Sequence, residues 1–141
     1  MNKDGKIVLI EDDQDDLDLL QNIFSDLQLP NEILTFKNGL DAYTYLAGTH
    51  EIPFIIFSDI NMPVMNGFEL RKKMQAFSRA SLMTVPFIFI TTGDPEEPLL
   101  KEFLPFTQGI YSKPENMEEY RKLIKEIIDS WKNKPDEAII D

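Results

Sequence analysis

Acidic, hydroxyl and lysine side chains follow the apolar segments of this sequence at the points where those segments end. Glu11 and Asp12 follow the first apolar run, Asp59 the third, Thr91 the fourth and Lys113 the fifth. An aspartate carboxylate can attack a phosphoryl group and form an acyl phosphate. Phosphoryl transfer also needs cations and hydrogen-bond donors around the phosphoryl oxygens. The pattern predicts Asp59 as the nucleophile, with the Thr91 hydroxyl and the Lys113 ammonium as donors.

A group of carboxylates at one sheet edge also predicts a metal site. Glu11, Asp12 and Asp59 would repel one another unless a cation neutralised them. Magnesium prefers oxygen ligands in octahedral geometry and keeps several waters, which suits a few carboxylates and a backbone carbonyl. We therefore expect Mg²⁺ (or Mn²⁺) to be bound by Glu11, Asp12 and Asp59, with the carbonyl of Asn61 as a further ligand.

Strands and helices alternate along the sequence. Short apolar runs predict five strands, at Lys6–Ile10, Ile33–Phe36, Phe54–Phe57, Val85–Ile90 and Ile110–Tyr111. Helical spacing of apolar residues predicts helices at 17–27, Leu40–Leu46, Phe68–Phe77 and, after the cap Asn116, Met117–Trp131, with a short one inside the proline-bracketed Leu99–Leu104. This order predicts an α/β fold, a doubly wound five-stranded parallel sheet with helices on both faces. In such sheets ligands bind at the carboxyl ends of the strands, where the residues above lie.

Composition sets further limits on function. The 141 residues include no cysteine, a single histidine (His50) and 25 acidic against 14 basic residues, for a net charge of −11. This charge disfavours direct binding to nucleic acid or to anionic membranes, and no apolar stretch approaches the ~20 residues of a membrane span. We expect one cytoplasmic domain over residues 1–131, followed by a tail at 132–141.

Four separated motifs resemble the response regulator receiver family, of the CheY-like, stand-alone single-domain type. They are the strand and acid pair Ile7–Asp12, the loop from Asp59-Ile60-Asn61-Met62-Pro63 to Gly67, the segment Pro86–Thr91, and Lys113-Pro114. The similarity covers about residues 6 to 131. It implies a flavodoxin-like (βα)5 three-layer sandwich, and it assigns the same site residues as above. It further implies a cis bond between Lys113 and Pro114.

The resemblance also implies partners and an output. A sensor histidine kinase or histidine phosphotransfer protein would supply the phosphoryl group, and a downstream protein target would bind the phosphorylated form. A weak homodimer is a further association that the family allows. The protein would not be an enzyme beyond catalysing its own phosphorylation and dephosphorylation.

Three features depart from the family pattern. Ile110 occupies the position of a switch aromatic, and Tyr111 beside it should point to the opposite face of the sheet. Thr92 replaces a small residue and is expected to narrow the entry to the site. Prolines shorten the helix after the fourth strand, and the grouped apolar residues Phe103, Leu104 and Phe106 predict a docking face there.

Other interpretations compete with this one. A magnesium-dependent phosphohydrolase would need a second acid two residues after Asp59, where the chain has Asn61. A pseudo-receiver that binds partners without phosphorylation is suggested by Ile110 and by the altered helix after the fourth strand. An EF-hand is excluded, since a loop begun at Asp12 lacks the required glycine and final glutamate. The acids Asp13, Asp15 and Asp16 are interpreted as helix-start charges.

Overall fold

The computed structural model describes residues 2–76, 80–93, 101 and 107–135. Its strands are β1 (Ile7–Ile10), β2 (Ile33–Phe36), β3 (Ile55–Ser58), β4 (Phe87–Thr91) and β5 (Gly109–Ser112). The helices in the described part of the chain are α1 (Gln14–Leu27), α2 (Gly39–Gly48), α3 (Gly67–Met74), α4 (Ala80–Met83) and α5 (Met117–Lys132). All five predicted strands are present, with ends shifted by two residues at most.

The sheet is parallel throughout, in the order β2-β1-β3-β4-β5. The chain runs from β1 outward to β2 and then returns past β1 to β3, so the strand order reverses beside β1. Ile10 pairs with Ser58, and Ser58 pairs with Phe89, so these three strands end at nearly the same level. This confirms the predicted doubly wound fold and places its crevice at the carboxyl ends of β1 and β3.

Two separate apolar cores cover the two faces of the sheet. Because side chains alternate along a strand, Ile7 and Leu9 join one core while Val8 and Ile10 join the other. The first core contains the buried faces of α1 and α5, and the second contains those of α2 and α3. Helices therefore lie on both faces of the sheet, which confirms the three-layer architecture.

Polar side chains fix where the longer helices begin. Asp13, Asn38, Asn66 and Asn116 are the N-caps of α1, α2, α3 and α5, and each accepts a hydrogen bond from a backbone N–H of the first turn. The interpretation of Asp13 as a helix-start charge is thus confirmed. Because α1 and α3 are the next helices after β1 and β3, the caps Asp13 and Asn66 fix the far ends of the loops that carry Glu11, Asp12 and Asp59.

Some predicted boundaries differ from the structure. The third helix ends at Met74 rather than near Phe77, and α4 was not predicted because four residues are too few to show a helical period. The predicted helix at Leu99–Leu104 lies outside the described residues, except for the helical Lys101. Helix α5 includes Lys132, the first residue of the expected tail.

None of the described helices is long and apolar enough to cross a membrane.

Candidate functional site

Three carboxylates converge at the carboxyl ends of β1 and β3. Glu11 and Asp59 are held by the sheet itself, because the Glu11 N–H donates to the Phe36 carbonyl at 3.0 Å and the Asp59 N–H donates to the Ile10 carbonyl at 2.9 Å. Glu11, Asp12 and Asp59 each offer a carboxylate oxygen within 4.8 Å of the others. Glu11 is buried, Asp59 is half-buried and Asp12 is exposed, so the group opens to solvent on one side.

Burial disfavours the fully ionised state of these three carboxylates. Burial and, to a smaller extent, the neighbouring charge of Asp59 raise the pKa of Glu11 to about 7, although Lys113 opposes the shift. Burial likewise raises the pKa of Asp59, which Lys113 and the Ile60 N–H counteract. The protein pocket therefore favours uptake of positive charge, as a proton or as a cation.

The loop after β3 fixes the Asp59 carboxylate. The Ile60 N–H donates to Asp59 Oδ1 at 2.7 Å, and the Ser58 hydroxyl donates to the Asp59 carbonyl at 2.7 Å. Gly67, the first residue of α3, donates its N–H to the Ile60 carbonyl at 2.8 Å and so ties the end of the loop to its beginning. Asn61 lies exposed within this loop.

Thr91 lies at the end of β4, with a side chain that is 2% exposed. Its Oγ1 accepts the Gly93 N–H at 3.0 Å, which leaves the hydroxyl proton free to be donated. Its carbonyl accepts the Lys113 N–H at 2.7 Å, so Thr91 and Lys113 are tied together through the backbone. The adjacent Thr92 is exposed, as expected for a residue at the mouth of the site.

The Lys113 ammonium is shared between two acids. Its Nζ lies 2.7 Å from Asp16 Oδ2 and 3.4 Å from Glu11 Oε2, and its side chain is 10% exposed. In the described part of the chain it forms no ion pair with Asp59. Burial alone would lower the pKa of Lys113, but the bond to Asp16 and the charge of Glu11 raise it above its usual value. Lys113 therefore stays protonated beside the carboxylates.

Asp16 is the functional-site neighbour that the sequence analysis missed. It was interpreted only as a helix-start charge, and it does lie in the first turn of α1. Asp16 lies four residues before Leu20, and Leu20 lines a small cavity together with Glu11 and Asp59. Because residues four apart share a helix face, this spacing was the available signal that Asp16 faces the site.

The Lys113-Pro114 bond is trans, since there is no cis peptide bond among the described residues. The expectation of a cis bond is wrong for this structure. It followed from the family resemblance and not from the residues themselves, and trans is the intrinsically preferred form of such a bond.

The two residues in the middle of β5 point to opposite faces. Ile110 packs against the core that contains α2 and α3, whereas Tyr111 packs against the core that contains α1 and α5. The prediction that Tyr111 cannot take the place of an aromatic at position 110 is therefore confirmed. The docking face predicted at Phe103, Leu104 and Phe106 lies outside the described residues.

A family model, the response regulator receiver domain, matches residues 7–125. The chain belongs to this family. Receivers are signalling domains of two-component systems and not classical enzymes. The probable transcriptional regulator ycf29 of Porphyra purpurea is 36% identical over 91 residues, which are 64% of this chain and 42% of the regulator. The chain thus spans less than half the length of that relative.

Solved receivers share the fold. The phosphorylated cyanobacterial phytochrome response regulator RcpA superposes with a TM-score of 0.78 at 24% identity, over 92% of this chain and 94% of the other. The Mn²⁺-bound form of the response regulator Rcp1 gives a TM-score of 0.77 at 21% identity, over 93% and 96% of the two chains. At these identities the superposition supports the architecture of this receiver, and the site must be argued from its own residues.

Proposed function

We propose that this receiver accepts a phosphoryl group on Asp59, with a divalent cation, Mg²⁺ or Mn²⁺, bound beside it. The observation that carries the proposal is the convergence of the Glu11, Asp12 and Asp59 carboxylates within 4.8 Å, with the Lys113 ammonium 3.4 Å from Glu11. No other described group of three or more potential metal ligands is as compact. Such a site brings together a nucleophile and the charges that phosphoryl transfer needs.

The donor set fits a hard divalent cation. Carboxylate oxygens are the ligands that Mg²⁺ and Mn²⁺ prefer. Burial raises the pKa values of Glu11 and Asp59 despite the nearby Lys113 ammonium, so a further positive charge beside them would be favourable. Glu11, Asp12 and Asp59 would hold the ion, with the carbonyl of Asn61 as a further ligand. When bound, the ion supplies charge that neutralises the carboxylates and the phosphoryl oxygens. Rcp1, of the same fold, has been solved with Mn²⁺.

The chain's own residues would divide the work of transfer. The Ile60 N–H orients the Asp59 carboxylate, and the oxygen that attacks phosphorus forms a new O–P bond as the P–N bond to the donor imidazole breaks. The donor imidazole carries a proton on its other ring nitrogen, so it takes up the electron pair of the P–N bond and leaves as a neutral imidazole. Thr91 and Lys113 would donate to the phosphoryl oxygens, since Thr91 ends β4 and Lys113 directly follows the adjacent strand β5.

The donor would be a sensor histidine kinase or a histidine phosphotransfer protein, and the phosphorylated form would bind a protein target. The net charge of −11 speaks against direct contact with nucleic acid or an anionic membrane, and a cytoplasmic location follows from such partners. A weak homodimer is also part of the proposal. Sedimentation velocity with and without beryllofluoride measures it, and an unchanged sedimentation coefficient at high protein concentration would remove it.

The site argues against the two alternatives. A phosphohydrolase would need an acid where Asn61 stands, and Asn61 cannot transfer a proton. A pseudo-receiver would lack part of the acid group, whereas Glu11, Asp12 and Asp59 are all present and close together.

Intact-mass measurement after incubation with Mg²⁺ and acetyl phosphate tests the proposal. The wild-type chain should gain the mass of one phosphoryl group, and Asp59→Asn should gain none. Asp15→Asn is the matched control, since Asp15 is exposed and belongs to α1 rather than to the carboxylate group. A label on another residue of the wild-type chain, or a labelled Asp59→Asn variant, would refute the assignment.

A further inference from the structure

The contact between Asp16 and Lys113 is the shortest that the lysine side chain makes. Lys113 Nζ lies 2.7 Å from Asp16 Oδ2, against 3.4 Å from Glu11 Oε2. A short hydrogen bond between two charged groups is about twice as strong as one between neutral groups. The lysine side chain is 10% exposed and the Asp16 side chain 33% exposed, so solvent weakens this pair only in part.

Packing of α1 fixes the position of Asp16. Its helix begins at the cap Asp13, which accepts the Asp16 N–H at 3.3 Å. Leu17 and Leu20 anchor the same turn in the core. At the other end of the helix, Asp26 accepts a hydrogen bond from Arg121 of α5 at 2.8 Å. The Asp16 carboxylate therefore reaches Lys113 from a rigid element, not from a mobile loop.

The proposed phosphoryl transfer requires the Lys113 ammonium at a different place, beside Asp59. Lys113 is to donate to the phosphoryl oxygens on Asp59, yet the described residues show its ammonium bound to Asp16 and Glu11 and not to Asp59. Once the cation occupies the carboxylate group, Glu11 is engaged by it, and Asp16 becomes the remaining competitor for the ammonium. The phosphoryl group must then draw Lys113 away from Asp16.

We infer that Asp16 is a positioning residue, which holds the Lys113 ammonium away from Asp59 in the unphosphorylated receiver and thereby lowers the affinity of the site for a phosphoryl group. The inference rests on the proposed phosphoryl site at Asp59. It assigns to the first turn of α1 a part in setting how readily this receiver becomes phosphorylated.

Beryllofluoride, a stable phosphoryl mimic, gives a direct test when its affinity is measured by calorimetry with saturating Mg²⁺. Asp16→Asn should bind it roughly three- to tenfold more tightly than the wild type, the range expected for a partly exposed ion pair. Asp15→Asn removes the same charge from the same turn without touching Lys113, and its affinity should stay within about twofold of the wild type.

A double-mutant cycle separates positioning from simple charge repulsion. In a Lys113→Met background, Asp16→Asn should no longer tighten binding of beryllofluoride, because there is no ammonium to release. If the same gain persisted there, Asp16 would act through its own charge and the inference would be overturned. An Asp16→Asn variant with wild-type affinity would overturn it as well.

Mg²⁺ binding without beryllofluoride provides a second measurement, which does not depend on how tightly Lys113→Met binds the mimic. The ammonium released in Asp16→Asn should turn toward Glu11 and weaken Mg²⁺ binding more than Asp15→Asn does. In the Lys113→Met background that difference should vanish, and a difference that remained would count against the inference.

Asp59→Asn distinguishes failure of the inference from failure of the proposed function. If the wild type binds beryllofluoride and Asp59→Asn does not, while Asp16→Asn matches the wild type, only the role of Asp16 is wrong. If wild type and Asp59→Asn behave alike, the proposed phosphoryl site is wrong and the role of Asp16 falls with it.

Discussion

Gly67 packs so closely against the backbone of Asp59 that a side chain at position 67 would collide with the Asp59 carbonyl oxygen. A Cβ there would also lie 2.8 Å from Cε1 of Phe89 and 3.2 Å from the Ser58 hydroxyl oxygen. The start of α3 thus braces the loop that carries the proposed phosphoryl acceptor. Since the nearest atom is the backbone carbonyl oxygen of Asp59, room for a Cβ can be made only if the loop moves.

Gly67→Ala should therefore destabilise the protein by about 1–3 kcal/mol, the usual cost of forcing extra atoms into a packed region. Displacement of Asp59 should also slow phosphorylation by acetyl phosphate. Gly48→Ala is the control, because a Cβ at Gly48 meets nothing within 4 Å and alanine suits a helix better than glycine. Urea denaturation and intact-mass kinetics measure both effects. Equal stabilities for the two variants would contradict the close approach.

The buried Glu11 carboxyl should make the metal-free protein less stable as pH rises. Its pKa is raised from the usual 4.5 to about 7, so the folded state holds this proton more tightly than the unfolded state does. The resulting stabilisation is complete below about 4.5 and is lost as pH rises through about 7. A shift of this size corresponds to about 3 kcal/mol. The raised pKa of Asp59 acts in the same direction.

Urea denaturation in the presence of a chelator, at pH values from 5 to 8, measures this dependence. Glu11→Gln mimics the protonated form, so its stability should vary less with pH than that of the wild type. Adding Mg²⁺ should restore stability to the wild type at high pH, where Glu11 is charged, and much less to Glu11→Gln. A wild-type stability that rises between pH 5 and 7 without metal would show that the sign is wrong.

The sequence was sufficient to predict that the Glu11, Asp12 and Asp59 carboxylates converge, because a parallel sheet brings the carboxyl ends of its strands together. Glu11 directly follows β1 and Asp59 directly follows the neighbouring strand β3, so their convergence follows from topology. The contact of Asp16 with Lys113 depends on how α1 is rotated and on how far a lysine extends. The order of the strands determines neither the rotation of α1 nor the reach of the lysine side chain. For this reason Asp16 was interpreted only as a helix-start charge.

Asn31 joins the two ends of the described chain near the amino-terminal ends of the strands, on the side of the sheet away from the site. Its amide nitrogen donates to the carbonyls of Lys3 and Gly5 at 2.9 and 2.6 Å, and its amide oxygen accepts from Lys132 Nζ at 2.7 Å. Asn31 is buried, so its loss would remove three hydrogen bonds, although Lys132 Nζ also donates directly to the Lys3 carbonyl at 2.7 Å.

We expect Asn31→Ala to cost about 1–3 kcal/mol of folding free energy, because it removes a buried side chain whose amide makes several hydrogen bonds. Phosphorylation kinetics should be unchanged under conditions where the variant is folded, since Asn31 precedes β2 and the site follows the strands. Asn133→Ala, at an exposed position just after α5, should leave the stability as it is. A loss of phosphorylation in folded Asn31→Ala protein would mean that the two ends of the strands are coupled.

Thr91 and Thr92 form a natural matched pair for the proposed role of a hydroxyl at the end of β4. Thr91 is 2% exposed and Thr92 is exposed, so only the first can meet a phosphoryl group on Asp59 from within the site. Valine keeps the shape of threonine and removes the hydroxyl. Thr91→Val should weaken beryllofluoride binding about tenfold, which corresponds to the lower end of the roughly 1.5–3 kcal/mol typical of a hydrogen bond to a charged group.

Thr92→Val keeps the bulk at the entry of the site and should bind beryllofluoride as the wild type does. Because Thr91 Oγ1 also accepts the Gly93 N–H at 3.0 Å, Thr91→Val could weaken the loop itself. Thermal unfolding without ligand separates the two effects, since damage to the loop lowers stability in the absence of beryllofluoride. If Thr91→Val and Thr92→Val bound beryllofluoride equally well, the Thr91 hydroxyl would have no part in holding the phosphoryl group.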